Sequence, residues 1–206
     1  MQSDTTGFLQ EFHKILEEAG KKGASDIHYV PKEQLLLRVD GRLVDMTEKM
    51  AGRRRGLILV TGAAGSGRTT TMASMIDHIA SNYERSILTL EKPAEYLFQN
   101  RKSMVLQREI GIDTRSYEVG LKAALKQDMD VILISEMADL ETISLALTAA
   151  EMGHLVIAAL PTRNAVTSIE RMVECFPDYR QQQIRSQLSD VLTGVISQQL
   201  LPRQDG

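Results

Sequence analysis

The stretch ILVTGAAGSGRTT, residues 58–70, decides the fold class of this chain. A short apolar run enters a glycine-rich loop, and the loop ends in one basic residue and two hydroxyls. The spacing G-x-x-x-x-G-[basic]-[Ser/Thr] puts Gly62, Gly67, Arg68 and Thr69 in the places of a phosphate-binding loop, where the basic residue is usually lysine. Arginine raises two separate questions: whether the loop holds a nucleotide, and whether the protein hydrolyses it.

A phosphate-binding role depends on what flanks the loop. We expect a buried strand at 57–60 before it and a helix at 69–82 after it, so that backbone N–H groups and the positive end of the helix dipole converge on phosphate. The hydroxyl of Thr69 is placed for Mg²⁺ and that of Thr70 for an α-phosphate oxygen. The alternative is a bare glycine turn. The candidate nucleotide-binding residues are Gly62, Gly65, Ser66, Gly67, Arg68, Thr69 and Thr70.

Arginine keeps the charge of lysine but carries a wide planar fork, and the two are not interchangeable at a tight site. We expect Arg68 to weaken nucleotide binding and to reduce turnover further.

Composition fits one well-packed domain with a small appendage: 206 residues, 43% hydrophobic and 25% charged. A net charge of -3 argues mildly against a constitutive nucleic-acid binder. The single cysteine, Cys175, excludes an intramolecular disulfide and suits a cytoplasmic setting. The N-terminus does not resemble a signal peptide, and the apolar run 155–160 is too short to span a bilayer, so we expect only peripheral membrane contact.

The segment upstream of the loop predicts a small α+β module. A helical face at 8–19 is followed by the apolar runs LLLRV and RLVDM, which Asp40-Gly41 separates as in a hairpin. The charged segment after it is typical of a linker. We therefore expect a truncated N-terminal module at 1–50, a linker at 51–56 and an ATPase domain at 57–206.

The rest of the chain alternates buried strands with helices, which predicts an α/β three-layer domain with a mostly parallel sheet. Asp139 is expected to cap one helix and Gly153 to end it. The predicted strands are 57–60, 86–90, 131–134 and 155–160, and the predicted helices are 69–82, 117–128, 139–153, 165–176 and 182–201.

A phosphate-binding loop also needs a carboxylate at the end of a neighbouring strand. Glu136 follows the strand 131–134, where it could order Mg²⁺ or polarise the attacking water. A plain surface glutamate at a strand end is the alternative.

The motifs together resemble the family of type II secretion and type IV pilus motor ATPases, most closely its pilus-retraction (twitching-motility) group. The shared stretches include GLILVTG, TTTMASMIDHI, VLQREIGIDT, DLETISLALTAAEMGHLV and FPDYRQQQIRSQLSDVLTGVISQQLL. The resemblance implies a RecA-like P-loop core, ATP and Mg²⁺ as ligands, and a homo-oligomeric, hexameric ring. It also implies work on a pilus or secretion platform protein at the cytoplasmic face of the inner membrane.

Residue by residue, the resemblance gives 62–70 as the Walker A loop and Glu136 as the Walker B glutamate, with Thr69 and Glu136 on the metal. Glu91 and Glu95 match the acidic box, and His154 matches the first histidine of the histidine box. The implied catalytic residues are therefore Glu136, Glu91, Glu95 and His154.

The chain departs from the family pattern at several places that face the nucleotide. Lys92 stands where the acidic box has aspartate, and Pro161 where the second histidine lies; Ala138 replaces an arginine and Ser135 a glycine beside Glu136. Lys122 and Lys126 replace paired arginines, whereas Arg108 is retained. The chain is also short for the family, which puts ring assembly in question.

Two functions therefore stay open. One is an ATP-hydrolysing motor for pilus retraction or secretion. The other is a catalytically impaired P-loop module with a regulatory or structural role, which the altered residues favour. A nucleic-acid motor is disfavoured by the acidic balance and by the lack of interleaved basic and aromatic residues.

Overall fold

The computed structural model describes residues 50–199 in full, together with the backbone of three upstream strands. These strands, β1 (Ala24–His28), β2 (Leu36–Val39) and β3 (Arg42–Val44), form an antiparallel sheet in the order β1-β2-β3. The hairpin predicted around Asp40-Gly41 is confirmed by the pairing of β2 with β3. The helix predicted at 8–19 lies outside the described residues.

A six-stranded parallel sheet forms the centre of the molecule, in the order β6-β5-β7-β8-β4-β9. All seven residues of β4, all four of β7 and all six of β8 are buried. Strands with both faces covered are continuous apolar runs in the sequence, and this is why they could be predicted. The bounds are β4 (Gly56–Gly62), β5 (Ser86–Glu91), β6 (Met104–Glu109), β7 (Val131–Ile134), β8 (Leu155–Leu160) and β9 (Leu192–Gln198).

Helices cover both faces of this sheet. Alternate residues of β4 point to opposite sides: Leu57 and Leu59 join one apolar cluster, and Ile58 and Val60 join the other. Helix α1 packs on the second cluster, and the remaining four helices pack on the first. The predicted three-layer α/β fold is thus confirmed. The helices are α1 (Arg68–Asn82), α2 (Tyr117–Ala124), α3 (Leu140–Glu151), α4 (Ala165–Glu174) and α5 (Asp178–Val191).

The predicted start of α3 is confirmed by its N-cap. The side chain of Asp139 accepts a hydrogen bond from the Thr142 backbone N–H at 2.8 Å. Gly153, just past the end of α3, has φ 105°, a value that favours glycine. No helix in the described part of the chain is both long and apolar enough to cross a membrane.

Two parts of the secondary structure differ from the sequence prediction. The helix expected over 182–201 ends at Val191, and the chain continues as β9. Val195 and Ile196 are buried there, and β9 pairs in parallel with β4 along its length. Pairing with a buried strand outweighed the helical pattern. The edge strand β6 was also missed, because none of its residues is fully buried and its apolar signal is weak.

The segment before β4 packs closely against the sheet. Met50 and Ala51 are buried in the same cluster as α1. The Met50 methyl group occupies the place where a Cβ on Gly194 of β9 would lie. The Arg85 guanidinium donates to the carbonyls of Ala51, Gly52 and Arg53 at 3.4, 2.9 and 2.6 Å. The division into a module at 1–50, a linker at 51–56 and a domain from 57 stays a prediction.

We expect Arg85→Ala to lower the free energy of unfolding by about 1–3 kcal/mol, since a charged donor with three carbonyl partners is lost. Arg85→Lys keeps the charge but not the planar fork, so it should recover only part of the loss. Urea unfolding measures both variants. The exposed Arg115→Ala is the matched control, with an expected change within about 0.5 kcal/mol; equal effects at both positions would contradict the prediction.

Candidate nucleotide-binding site

The candidate site lies at the carboxyl edge of the central sheet. Parallel strands end at the same edge, and ligands of open α/β sheets bind in the crevice there. The glycine-rich loop follows β4, Glu136 follows β7, and Glu91 is the last residue of β5. The edge therefore gathers the loop and two of the predicted catalytic carboxylates.

The loop backbone has the conformation that its glycines allow. Gly62, Gly65 and Gly67 have φ of 153°, 78° and 86°. A Cβ on Gly62 would contact Ser66 Oγ and lie 2.6 Å from the carbonyl oxygen of Gln198. Only glycine fits at position 62, because both the backbone angle and the available space exclude a side chain.

Helix α1 starts at this loop without a side-chain cap. Its N-cap residue is Gly67, whereas Ser116, Asp139 and Asn164 cap α2, α3 and α4 through side-chain oxygens. The first N–H groups of a helix have no partner within the helix, and they carry the positive end of its dipole. The start of α1 thus has the form of an anion-binding site.

Arg68 turns back toward the loop. Its Nη1 donates to the Gly62 carbonyl at 2.9 Å, so the side chain reaches back from the end of the loop to its first glycine. Burial lowers the pKa of the Arg68 guanidinium, and the nearby negative charge of Glu136 opposes that shift. The loop and the carboxylate after β7 therefore interact electrostatically through Arg68.

The two hydroxyls at the start of α1 contact the segment that follows β5. Thr69 Oγ1 donates to Glu95 Oε1 at 3.3 Å, and Thr70 Oγ1 lies 3.1 Å from the Tyr96 hydroxyl. The structure thus brings Glu95 to the predicted metal-binding hydroxyl. It also adds Tyr96, which sequence reasoning missed.

Glu91 and Glu136 differ in environment. Glu91 is 4% exposed, and it accepts hydrogen bonds from Thr89 Oγ1 at 2.6 Å and Gln107 Nε2 at 3.1 Å. Glu136 is exposed at the edge. A solvated carboxylate is accessible to water and metal, whereas a buried, hydrogen-bonded one is held in place.

Ser135, where the family pattern has glycine, adds a hydroxyl next to Glu136. Its Oγ accepts from the Lys92 backbone N–H at 3.1 Å and lies 2.8 Å from the Tyr117 hydroxyl. Burial raises the pKa of Tyr117, and the negative charges of Glu136 and Glu91 add to the effect. The phenol stays neutral beside the carboxylates and can donate a hydrogen bond.

His154 lies at the other edge of the sheet, just before β8. Its Nδ1 is 2.5 Å from the Met129 carbonyl oxygen, and its own carbonyl accepts from the Gly56 N–H. Within this chain it is not brought to the loop, so its catalytic role stays a prediction. Pro161 directly follows β8 at the carboxyl edge.

The retained Arg108 and the substituted Lys122 contact polar side chains on the α2 side of the sheet. Arg108 Nη2 donates to Gln127 Oε1 at 3.4 Å, and Lys122 pairs with Glu118 one turn earlier at 2.5 Å. Neither contact reaches the loop.

Gln198, the last residue of β9, lies under the loop and was also missed. It is 3% exposed, and its Nε2 donates to the Ser66 carbonyl at 3.5 Å. Gln198 Oε1 and Ser66 Oγ are buried without a hydrogen-bond partner among the described residues. The β-branched run around Gly194, read as a strand, would have placed Gln198 at this edge.

Comparison with known proteins finds a matching family and similar relatives. Residues 37–205 match the family described as "Type II/IV secretion system protein". The chain is 44% identical over 187 residues to a twitching motility protein of Neisseria gonorrhoeae, covering 91% of this chain and 50% of that protein. It is 40% identical over 185 residues to the type IV pilus retractation ATPase PilT of Pseudomonas aeruginosa, covering 90% and 54%.

A solved structure has the same fold as this chain. The pilus retraction motor PilT with bound ADP superimposes with a TM-score of 0.77 at 35% identity, covering 94% of this chain and 79% of that chain. The chain spans about half the length of the curated relatives it matches. The predicted RecA-like fold is confirmed, and nucleotide binding is a property of the family. The family match over 37–205 and the motifs at the carboxyl edge agree: this chain belongs to the type II/IV secretion system protein family.

Proposed function

We propose that this chain binds an adenine nucleotide with Mg²⁺, as a subunit of type IV pilus or secretion machinery, and turns the nucleotide over slowly. The observation that carries the proposal is the uncapped start of α1 beside a loop whose basic residue, Arg68, bonds to Gly62. The first feature supports phosphate binding, and the second supports impaired chemistry.

The phosphates would be held mainly by backbone. The N–H groups at the start of α1 and the turn from Gly62 to Gly67 supply directed donors, and the helix dipole favours negative charge. The Arg68 guanidinium, which stays protonated at neutral pH, adds a positive charge. Its 2.9 Å bond to Gly62 would have to rearrange for the fork to reach a phosphate oxygen.

The donors near Thr69 fit Mg²⁺, which prefers oxygen ligands and keeps several waters. Thr69 Oγ1 and Glu95 Oε1 lie 3.3 Å apart, and the exposed Glu136 follows the neighbouring strand β7. When bound, Mg²⁺ would offset the charge of the phosphates. Thr69 and Glu136 are the proposed metal-side residues, with Glu95 orienting the Thr69 hydroxyl.

Slow turnover follows from the groups around the reaction centre. Glu136 is exposed and could orient or deprotonate water, whereas Glu91 is buried and already accepts two hydrogen bonds. Lys92 and Ala138 change the charge near these carboxylates relative to the family pattern, and Pro161 removes an imidazole. Each change removes or disturbs a group that would stabilise charge in the transition state.

The second candidate is a fully active motor for pilus retraction or secretion. It is favoured by Glu95 contacting Thr69 and by Glu136 lying close enough to Arg68 to influence its pKa. In both cases the proposed location is the cytoplasmic face of the inner membrane, with contact only through a platform protein.

Phosphate release separates the two candidates. For the chain itself with Mg-ATP we expect a rate far below that of a PilT relative, and for Arg68→Lys a higher rate that still stays well below it. The lysine restores a compact charge, but Lys92, Ala138 and Pro161 remain. Robust turnover by the unmodified chain would support the active motor, and full recovery by Arg68→Lys would show that the other departures are neutral.

Glu136→Gln tests the role of the exposed carboxylate. In the Arg68→Lys background we expect phosphate release to fall by at least about tenfold, because general-base assistance is typically worth more than that. The affinity for Mg-ADP, measured by calorimetry, should also fall, because Glu136 is one of the two proposed metal-side residues. Glu141→Gln, an exposed glutamate in the first turn of α3, is the matched control; equal losses in the two variants would contradict the assignment.

The proposed working form is a homo-oligomeric ring, as the family resemblance implies. Light scattering with and without Mg-ATP should show a nucleotide-dependent increase in molar mass. A monomer mass under both conditions would contradict ring formation by this chain.

A further inference from the structure

We propose that Gln107, in the edge strand β6, is a positioning residue for the nucleotide site. It lies in the family-shared stretch VLQREIGIDT, but it is not among the residues predicted for the nucleotide site. The inference deepens the proposed nucleotide binding and rests on it. It concerns the segment 92–100 after β5, defined here as the acidic loop, which carries Glu95 and Tyr96.

The amide of Gln107 makes three hydrogen bonds. Its Nε2 donates to Glu91 Oε1 at 3.1 Å and to the Tyr96 carbonyl at 2.8 Å, and its Oε1 accepts from the Phe98 N–H at 2.9 Å. Both N–H donors of the amide are therefore used. The partners also fix the amide orientation, since a flipped amide would face two acceptors with its oxygen and a donor with its nitrogen.

These bonds hold the acidic loop where it meets α1. The Tyr96 carbonyl and the Phe98 N–H flank Leu97, which is 91% exposed and so contributes little packing to hold the loop. Phe98 packs against the core, and Ala94 is anchored separately by Glu109 at 3.3 Å. The Gln107 amide therefore fixes the backbone of the loop directly beside Tyr96.

A continuous set of contacts runs from Gln107 to the phosphate-binding loop. The Tyr96 backbone is held by Gln107, and the Tyr96 hydroxyl lies 3.1 Å from Thr70 Oγ1. The neighbouring Glu95 accepts from Thr69. Thus the two hydroxyls proposed for metal and α-phosphate are oriented by a loop that Gln107 holds in register. The Nε2 atom that donates to the Tyr96 carbonyl also donates to the buried Glu91, which accepts from Thr89 as well.

The test measures Mg-ADP affinity by calorimetry for the full chain, Gln107→Leu, Tyr96→Phe and the double variant. We expect Gln107→Leu to bind about tenfold more weakly, the equivalent of one or two net hydrogen bonds, and Tyr96→Phe to lose less. Because both act through the Tyr96 to Thr70 contact, the double variant should bind about as well as Gln107→Leu alone. If Gln107 only stabilised the fold, the losses of Mg-ADP affinity in the two single variants would multiply in the double variant. That result would overturn the proposal.

Controls keep the test decisive. Gln187→Leu removes another side-chain amide, one that donates to Glu151 far from the loop, and should bind Mg-ADP like the unmodified chain. If urea unfolding shows that Gln107→Leu does not fold, Gln107→Met is the second variant: it keeps the length of the side chain, loses the amide, and should also bind more weakly. Unmodified affinity in the Gln107 variants overturns this inference alone, whereas no Mg-ADP binding by the unmodified chain overturns the proposed function as well.

Discussion

The parallel pairing of β4 with β8 on one side and β9 on the other is the constraint on which the rest of the structure depends. It buries every residue of β4, so the backbone of that strand has no freedom to slide. Because the strand is fixed, the position at which it leaves the sheet is fixed too, and the glycine turn begins there. Everything proposed for the site, from the uncapped helix to the hydroxyls of Thr69 and Thr70, is oriented relative to that exit.

Charge is distributed unevenly around this exit. The helix dipole and Arg68 supply positive potential on the loop side, while Glu95 and Glu136 face it from neighbouring segments. In a nucleotide with its metal, the negative phosphates would face the loop side and the metal cation would face the carboxylates. Lys92 adds a positive charge on the acidic side, where the family pattern has a carboxylate, and that weakens the match.

Much of the fold followed from the sequence, because buried parallel strands are continuous apolar runs and helices such as α3 carry visible caps. The loop and the carboxylate Glu136 were predictable because local spacing encodes them. By contrast, β9 was read as helix, because only its tertiary pairing with β4 decides its conformation. The contacts of Tyr96, Gln107 and Gln198 were not predictable, since each joins two separate segments through a single side chain whose orientation no local pattern encodes. Glu91 ends β5 and His154 precedes β8, so the parallel strand directions alone put the two residues at opposite edges.

The packing of Met50 against Gly194 has a consequence for how this chain can vary. The methyl group of one residue fills the space that a side chain on the other would need, so the two positions share a single volume. A larger residue on β9 would expel Met50, and a smaller residue at 50 would leave a cavity against the strand that flanks the phosphate-binding loop. Among related sequences, these two positions should therefore change together, large with small, even though most of the domain separates them along the chain.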